Sequence, residues 1–357
     1  MSRYVIYKDL LKENIEAVKK KAGVDIIGVV KGNGYGFGIR ELTVVLKESG
    51  IKTFAVTETD DIQELKAVLD NEDILVMRST GIAEEAEIIA GNGCIATIGS
   101  LNAAKVMNEA SARLGVKTKC HLKIDTGMGR YGFMPSQIEE AIKCYDMENL
   151  EFIGAYTHFS SAFRNRELTK AQLQLFKDTV EQIKKAGKEV GIIHAANSPA
   201  LLNVEDVCLD SVRIGSAFTG RVITDSKIKL NRIGSLEADV IEIKTVPAGY
   251  SIGYNGLYKT KRETRIAIVP IGHYDGFGLT KEKEIADFHS VLSQLKRYLK
   301  KQQMYVKINE RMYSVIGEIG LSHTAVDVTG SDVKVGDLAK VDISPLMVNP
   351  RIKRIYK

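Results

Sequence analysis

Lys31 closes an apolar run, Val24-Asp-Ile-Ile-Gly-Val-Val30, and opens a glycine-dense turn, Gly32-Asn-Gly-Tyr-Gly-Phe-Gly38. Glycine carries no Cβ penalty in unusual conformations, so four of them let the backbone fold tightly around the amine. Other runs place reactive groups in the same way. His121-Leu-Lys-Ile-Asp-Thr-Gly-Met-Gly-Arg130 ends in a guanidinium, and Tyr156-Thr-His158-Phe-Ser-Ser161 carries an imidazole. His194-Ala-Ala-Asn-Ser198 offers a hydroxyl, and Val212-Arg-Ile-Gly-Ser216 a second guanidinium beside a Gly-Ser turn. Taken singly, Lys31 reads as a surface lysine, Arg130 and Arg213 as salt-bridge formers, and His158 as a satisfied polar residue near a core. Together they supply an amine, an imidazole, two guanidinium groups and a turn whose backbone N–H groups suit an anion. Pyridoxal 5′-phosphate needs that kit: a lysine for a Schiff base, donors for the phosphate and a partner for the pyridine nitrogen.

The elements that must position these groups alternate. Candidate strands are Ile26–Val30, Thr53–Thr57, Ile74–Met77, Cys94–Ile98, Thr118–Ile124, Phe152–Thr157, Ile192–His194 and Val212–Ile214. Between them lie segments with apolar residues near a 3.6 period, among them Ala83–Ala90, Asn102–Leu114, Gln137–Cys144 and Thr169–Ala186. In the last, Leu173, Phe176, Val180 and Ile183 fall on one face. Ser198 to Asn203 reads as a short seventh helix. Eight such units define an α/β chain with a (β/α)8 TIM barrel, and each reactive group then stands at the carboxyl end of a strand, where barrels carry their chemistry.

Past residue 225 the texture turns β-rich. Glu237–Thr245, Arg265–Ile271, Tyr305–Ile308 and Ser314–Ile319 are strand-length, with turn signals at Pro247-Ala-Gly249, Gly276-Phe-Gly278 and Gly330-Ser-Asp332. The expected division is a barrel over 8–225 and a C-terminal β-rich domain over 226–357, residues 1–7 being a candidate addition to the latter. Ile285, Phe288, Leu292, Leu295 and Leu299 repeat at helical spacing, so a helical insertion is expected at about 281–303.

Composition narrows the partners. Fifty basic against 45 acidic residues leave a net charge of +5, spread along the chain, which gives no footprint for nucleic acid or a membrane surface. No run approaches the ~20 apolar residues of a membrane span. The first residues reach Lys8 and Asp9 before a signal-peptide core could form, so the expectation is cytoplasmic. Cys94, Cys120, Cys144 and Cys208 show neither a CxxC pair nor metal-ligand spacing, which argues against disulfides and a metal site.

The motifs resemble those of the alanine racemase family. Val30-Lys-Gly-Asn-Gly-Tyr-Gly-Phe-Gly38 resembles its lysine box and Lys123-Ile-Asp-Thr-Gly-Met-Gly-Arg-Tyr-Gly-Phe133 its most characteristic run. Thr157-His-Phe159, Asn197-Ser198 and Val212-Arg-Ile-Gly215 follow in order, then Gly253-Tyr254, Tyr258, Ala267-Ile-Val-Pro-Ile-Gly272 and Asp275-Gly276. The resemblance implies a pyridoxal-phosphate enzyme that interconverts L- and D-amino acids, as a head-to-tail homodimer with shared active sites. It implies that Lys31 holds the cofactor and is one acid/base, with Tyr254 the opposing one, reaching in from the partner subunit. Arg213 would pair with the pyridine nitrogen and His158 orient that polar network. Tyr35, Ser198, Gly215 and Ser216 would hold the phosphate, with Asn197 beside them. Arg130 would sit by the cofactor's phenolic oxygen and the substrate carboxylate. In some members the lysine matching Lys123 is carbamylated.

Physical chemistry agrees with two bases. Inverting an α-carbon requires a proton to leave one face and another to arrive at the opposite face. An arginine against the ring nitrogen keeps its own proton, so the ring stays neutral and simple reprotonation is favoured over side reactions.

Departures gather in the second domain. His273 stands where the family carries a tyrosine, and Gly317-Glu-Ile-Gly-Leu-Ser-His323 lacks the Met-Asp pair lining the partner's pocket. A second phosphate tyrosine has no counterpart. Alanine is the first expected substrate, with serine or a basic amino acid as alternatives. A decarboxylase of the same fold and a catalytically silent pyridoxal-phosphate carrier are the competing functions.

Overall fold

The computed structural model describes residues 2–256, 258–279, 291–292 and 303–357. The chain divides into two compact units, Lys8–Ile233 and Met1–Tyr7 with Gly234–Lys357. Strand β1 (Arg3–Ile6) belongs to the second unit. The first opens with α1 (Lys8–Ala22) and continues through β2 (Asp25–Val29), α2 (Ile39–Glu48), β3 (Thr53–Val56), α3 (Asp61–Lys66), β4 (Asp73–Val76) and α4 (Ala83–Gly91). β5 (Ala96–Ile98), α5 (Leu101–Leu114), β6 (Thr118–Lys123), α6 (Ile138–Cys144), β7 (Leu150–Tyr156), α7 (Arg166–Lys185), β8 (Ile192–His194), α8 (Ser198–Asn203) and β9 (Ser211–Ile214) complete it.

Strands β2 to β9 form one parallel sheet in the order β4-β3-β2-β9-β8-β7-β6-β5. Its two ends meet through a Leu75–Ile95 bridge, where the Val76 N–H donates to the Ile95 carbonyl (2.9 Å) and the Ile95 N–H to the Ile74 carbonyl (2.7 Å). The sheet is therefore a (β/α)8 barrel, and all eight expected strands are present. Because successive strand side chains point to opposite faces, Ile27 and Val29 both face inward, packing with Ala55, Leu75 and Ile95. On the outside, Leu173, Phe176, Val180 and Ile183 of α7 are buried as the helical stripe requires. Each such side chain contributes about 1.5–3 kcal/mol. Caps fix where several helices start: Ser100 Oγ accepts from the Ala103 N–H (3.1 Å) and Asn165 Oδ1 from the Leu168 N–H (2.9 Å). Buried Asn14 in α1 donates to the Phe218 and Asn231 carbonyls (2.9 and 2.8 Å), binding the stretch after β9 to the first helix.

The second unit holds β10 (Gly234–Asp239), β11 (Glu242–Val246), β12 (Ser251–Ile252), β13 (Tyr258–Lys259), β14 (Thr264–Val269), β15 (Tyr305–Ile308), β16 (Arg311–Ser314), β17 (Thr324–Asp327), β18 (Leu338–Val341) and β19 (Arg354–Tyr356). They make a six-stranded sheet, β16-β15-β18-β10-β1-β19, a three-stranded sheet, β11-β14-β17, and the hairpin β12-β13. Two sequence expectations are corrected here. Glu237–Thr245 is not one strand. The Val240 N–H donates to Asp337 and the Ile241 N–H to Ile268, so the chain crosses from one sheet to the other between these residues. Ser314–Ile319 is not a strand either: β16 ends at Ser314, beyond it Val315 makes only an isolated antiparallel bridge to Val326, and Gly317 takes a left-handed φ of 72° that breaks extension. The helix expected at 281–303 lies outside the described residues, apart from Val291, Leu292 and Gln303. Among the described residues no helix is long and apolar enough to cross a membrane.

Candidate active site

The alternation that points Ile27 and Val29 into the barrel carries Lys31 to the same side, at the carboxyl end of β2. The parity repeats around the sheet: His121 and Lys123 on β6, Tyr156 and then His158 on and after β7, Arg213 and then Gly215 on and after β9. A cavity of about 230 Å³ opens there, lined by Lys31, Tyr35, Lys123, Arg130, Tyr131, Tyr156, His158, Asn197, Ser198, Arg213, Gly215 and Ser216 among others. Nine of the ten site residues expected from sequence line it. Tyr254 does not: it lies in the second unit, in the turn Tyr254–Gly256 between β12 and β13, and is 64% exposed.

The glycine-dense turn after Lys31 is a single left-handed coil. Gly32, Asn33, Gly34 and Tyr35 have φ of 63°, 53°, 60° and 56°. For Asn33 and Tyr35 this region is strained. Asn33 is held there by its own carboxamide, which accepts from the Ile39 N–H (2.9 Å). The turn throws the Tyr35 ring back over Gly215, where a Cβ would meet the ring carbon bearing the hydroxyl at 2.6 Å. Ser198 Oγ accepts from the N–H groups of Gly215 and Ala217 (both 3.2 Å), so the two loops share one anchor. Asn197 caps α8 through the Ala200 N–H (3.0 Å). Burial pushes the Tyr35 phenol up to about 12, which keeps it a donor at neutral pH.

Arg213 is buried and, among the described residues, pairs with no carboxylate. One terminal nitrogen donates to His194 Nδ1 (2.7 Å) and the His194 carbonyl (3.1 Å), the other to the Thr157 and Ala195 carbonyls (2.7 and 3.0 Å), with His158 Nδ1 at 3.5 Å. Four of its five N–H groups are thus committed. The fifth, on Nε, has no partner among the described residues and is not sealed in the interior. The guanidinium carbon lies 4.8 Å from the Tyr156 ring centroid, a cation–π contact. Burial lowers Arg213 to about 10, so it stays a cation at neutral pH.

The same field acts on its neighbours. Burial, then Arg130 and Arg213, hold the Lys31 amine below the usual lysine range, which favours the nucleophilic neutral form. Burial, followed by Arg213, pushes Lys123 and His158 well below their ordinary values. Lys123 Nζ is buried with no hydrogen-bond partner among the described residues and sits 4.4 Å from the Tyr156 ring centroid. Arg130 is placed by Asp125. Both oxygens of that carboxylate accept backbone N–H groups, Oδ1 from Gly127 and Met128 (2.9 and 2.7 Å), Oδ2 from Gly129 and Arg130 (2.9 and 3.3 Å).

Sequence reasoning left His121, His194 and Tyr156 without roles. Counting back one inward position from His158 would have reached Tyr156. Nothing in the sequence pairs His194 with His121.

Residues 6–222 match the family described as alanine racemase, N-terminal domain, and residues 233–345 its C-terminal domain. An alanine racemase from Methanococcus maripaludis is 30% identical over 343 residues, covering 93% of this chain and 86% of that protein. The solved alanine racemase of Clostridium difficile 630 superposes with a TM-score of 0.87 at 27% identity, covering 100% of this chain and 95% of that one. The alanine racemase of Bartonella henselae with covalently bound pyridoxal phosphate shares the fold, with a TM-score of 0.81 at 22% identity over 100% of this chain and 99% of that one. Both halves are matched in order and nearly end to end, so the chain is an isomerase and belongs to the alanine racemase family.

Proposed function

We propose that this protein is a pyridoxal-phosphate-dependent racemase that interconverts L- and D-alanine, with Lys31 and Tyr254 of the partner subunit as its two proton carriers. One observation carries the reading: a lysine amine held below its usual pKa shares a single cavity with an arginine whose Nε–H has no partner among the described residues and with the Tyr35–Ser198–Gly215 anchor. These residues fit the coenzyme. Tyr35, Ser198, Gly215 and Ser216 would take its phosphate beside Asn197, Arg213 its ring nitrogen, and Lys31 its aldehyde carbon. When bound, the coenzyme supplies an electron sink that acidifies the Cα–H of an amino acid joined to it.

The chain's own groups do the rest. Lys31 takes or returns the α-proton on one face. Tyr254, exposed in the second unit, does so on the other face from a neighbouring subunit. Arg213 keeps its proton, and His158, neutral and close to it, leaves the guanidinium as the cation at the ring nitrogen. Arg130 pairs with the substrate carboxylate. Lys123 is a buried amine held well below its usual pKa, without a hydrogen-bond partner among the described residues, so its neutral form can add to carbon dioxide, releasing one proton and forming a carbamate that would face Arg130.

Optical rotation of a panel of L-amino acids, read with the coenzyme spectrum, tests the reading. L-alanine is expected to lose rotation fastest. Rotation lost fastest with serine or a basic amino acid would move the substrate, release of carbon dioxide would make the protein a decarboxylase, and a yellow protein without turnover would make it a carrier. Shared sites are tested by mixing inactive Lys31→Ala and Tyr254→Phe proteins. Mixed dimers regain one intact site, so activity returns. No recovery after subunit exchange would refute the two-subunit site.

A further inference from the structure

Arg213, His194 and His121 form a buried chain in which every proton position follows from one fact. A guanidinium has only N–H donors and cannot accept. His194 Nδ1, 2.7 Å from the Arg213 terminal nitrogen, must therefore be the bare, accepting nitrogen of its ring. A neutral imidazole keeps one N–H, so that of His194 is on Nε2 and donates to His121 Nδ1 at 2.9 Å. His121 in turn carries its hydrogen on Nε2. That atom is buried and has no acceptor among the described residues, and it abuts Gly154, where a Cβ would stand 2.6 Å away. Tyr156 stacks on His194 (centroids 4.9 Å apart, planes 6° apart), and its hydroxyl is tied to Thr97 Oγ1 (2.9 Å) and the Met77 carbonyl (3.0 Å), so the His194 ring cannot turn freely. Burial, then Arg213, lowers His121 to about 4 and His194 well below its ordinary value, so the chain carries one charge, on Arg213.

An orphaned buried N–H is costly, and a packed apolar residue would avoid it. Its other nitrogen is what makes His121 useful: among the described residues it is the only acceptor for the His194 Nε2–H. Without that acceptor His194 gains nothing from the Nε2–H tautomer, and the alternative form would aim an N–H at the Arg213 N–H. We infer that His121 is a positioning residue for the ring-nitrogen contact: by accepting from His194 it locks that imidazole as an acceptor and so fixes the direction of the Arg213 guanidinium. The inference rests on the proposal that Arg213 faces the coenzyme's ring nitrogen.

The test uses holoenzyme labelled with nitrogen-15 histidine. Long-range proton–nitrogen spectra of the wild type should show His194 as the Nε2–H tautomer. An Nδ1–H signal there overturns the inference without any variant. His121→Leu removes the acceptor, while His121→Asn keeps an oxygen near the position of Nδ1 in a side chain of Leu shape. In the Leu variant the His194 signals should shift toward a tautomer mixture, kcat should fall about tenfold with KM unchanged, and coenzyme affinity should weaken; the Asn variant should recover most of each. Equal losses in Leu and Asn would mark a purely steric role, and no change in Leu would remove any role; either overturns the inference. A wild type that never captures coenzyme would instead refute the functional proposal.

Discussion

The Tyr35 ring occupies the space that a side chain at position 215 would need: a Cβ built on Gly215 would lie 2.6 Å from the Tyr35 ring carbon that carries the hydroxyl, and nearer still to the oxygen. The first and last strands of the barrel are neighbours in the sheet, paired through Ile27 and Arg213, so the turn after β2 and the turn after β9 close on each other. A tyrosine held at a positive φ and a residue without a side chain are two halves of one anchor.

Gly215→Ala should therefore displace Tyr35 rather than simply strain its own backbone. Coenzyme affinity is expected to fall at least tenfold, about 1.4 kcal/mol or more, while the fold is kept. Titration of the apoprotein with pyridoxal phosphate, followed by absorbance, measures it. Wild-type affinity in the alanine variant would show that Tyr35 takes no part in binding.

Asp125→Asn replaces a carboxylate that accepts four backbone N–H groups with a side chain that turns a donor toward two of them. The loop carrying Arg130 should loosen, raising KM for the amino acid about tenfold and changing kcat less. Burial alone would raise this carboxyl's pKa, but the four backbone donors hold it below the usual value. A depressed folded pKa means that the group's stabilisation is complete above about pH 4 and fades as pH falls through the lower folded value. Urea melts of wild type and variant should thus converge under strongly acidic conditions. Equal spacing of the two curves at all pH values would count against the loop's dependence on charge.

Lys123 offers the opposite sign. Its folded pKa lies well below the ordinary 10.5, so between that lowered value and 10.5 the unfolded chain holds a proton that the folded chain lacks. Stability should rise with pH, by up to about 1.4 kcal/mol per unit, until the unfolded lysine also loses its proton near pH 10.5. Lys123→Met removes this slope. In carbonate-free buffer the variant should be more stable than wild type at neutral pH, its advantage shrinking as pH rises. A carbon-13 carbamate signal that appears with labelled bicarbonate in wild type and is absent from the variant would identify the amine that takes up carbon dioxide.

Phe176→Ala empties a fully buried site on the outer face of the barrel. The expected loss is about 3–5 kcal/mol, read by chemical denaturation, with the spectrum of bound coenzyme unchanged. A spectral change would mean that α7 packing reaches the cavity.

Much of this protein is written in local pattern. The short strand runs, the helical stripe of α7 and the glycines around Lys31 specify a barrel and the end of it that carries chemistry, because apolar patterning and backbone freedom are properties of short segments. Lys31, Arg130, His158 and Arg213 were legible as a set because each stands at or beyond the carboxyl end of a strand on the same edge. What the sequence could not give is contact between distant segments. That His194 meets His121 across 73 residues, and that Tyr35 lies on Gly215, depend on which strands become neighbours when the sheet closes. The break between Asp239 and Glu242 was hidden for the same reason: successive amides choose partners in different sheets, and no property of the segment itself records that choice. Charge follows suit, since lysines at 31 and 123 are held low by burial and by arginines that only the closed barrel brings beside them.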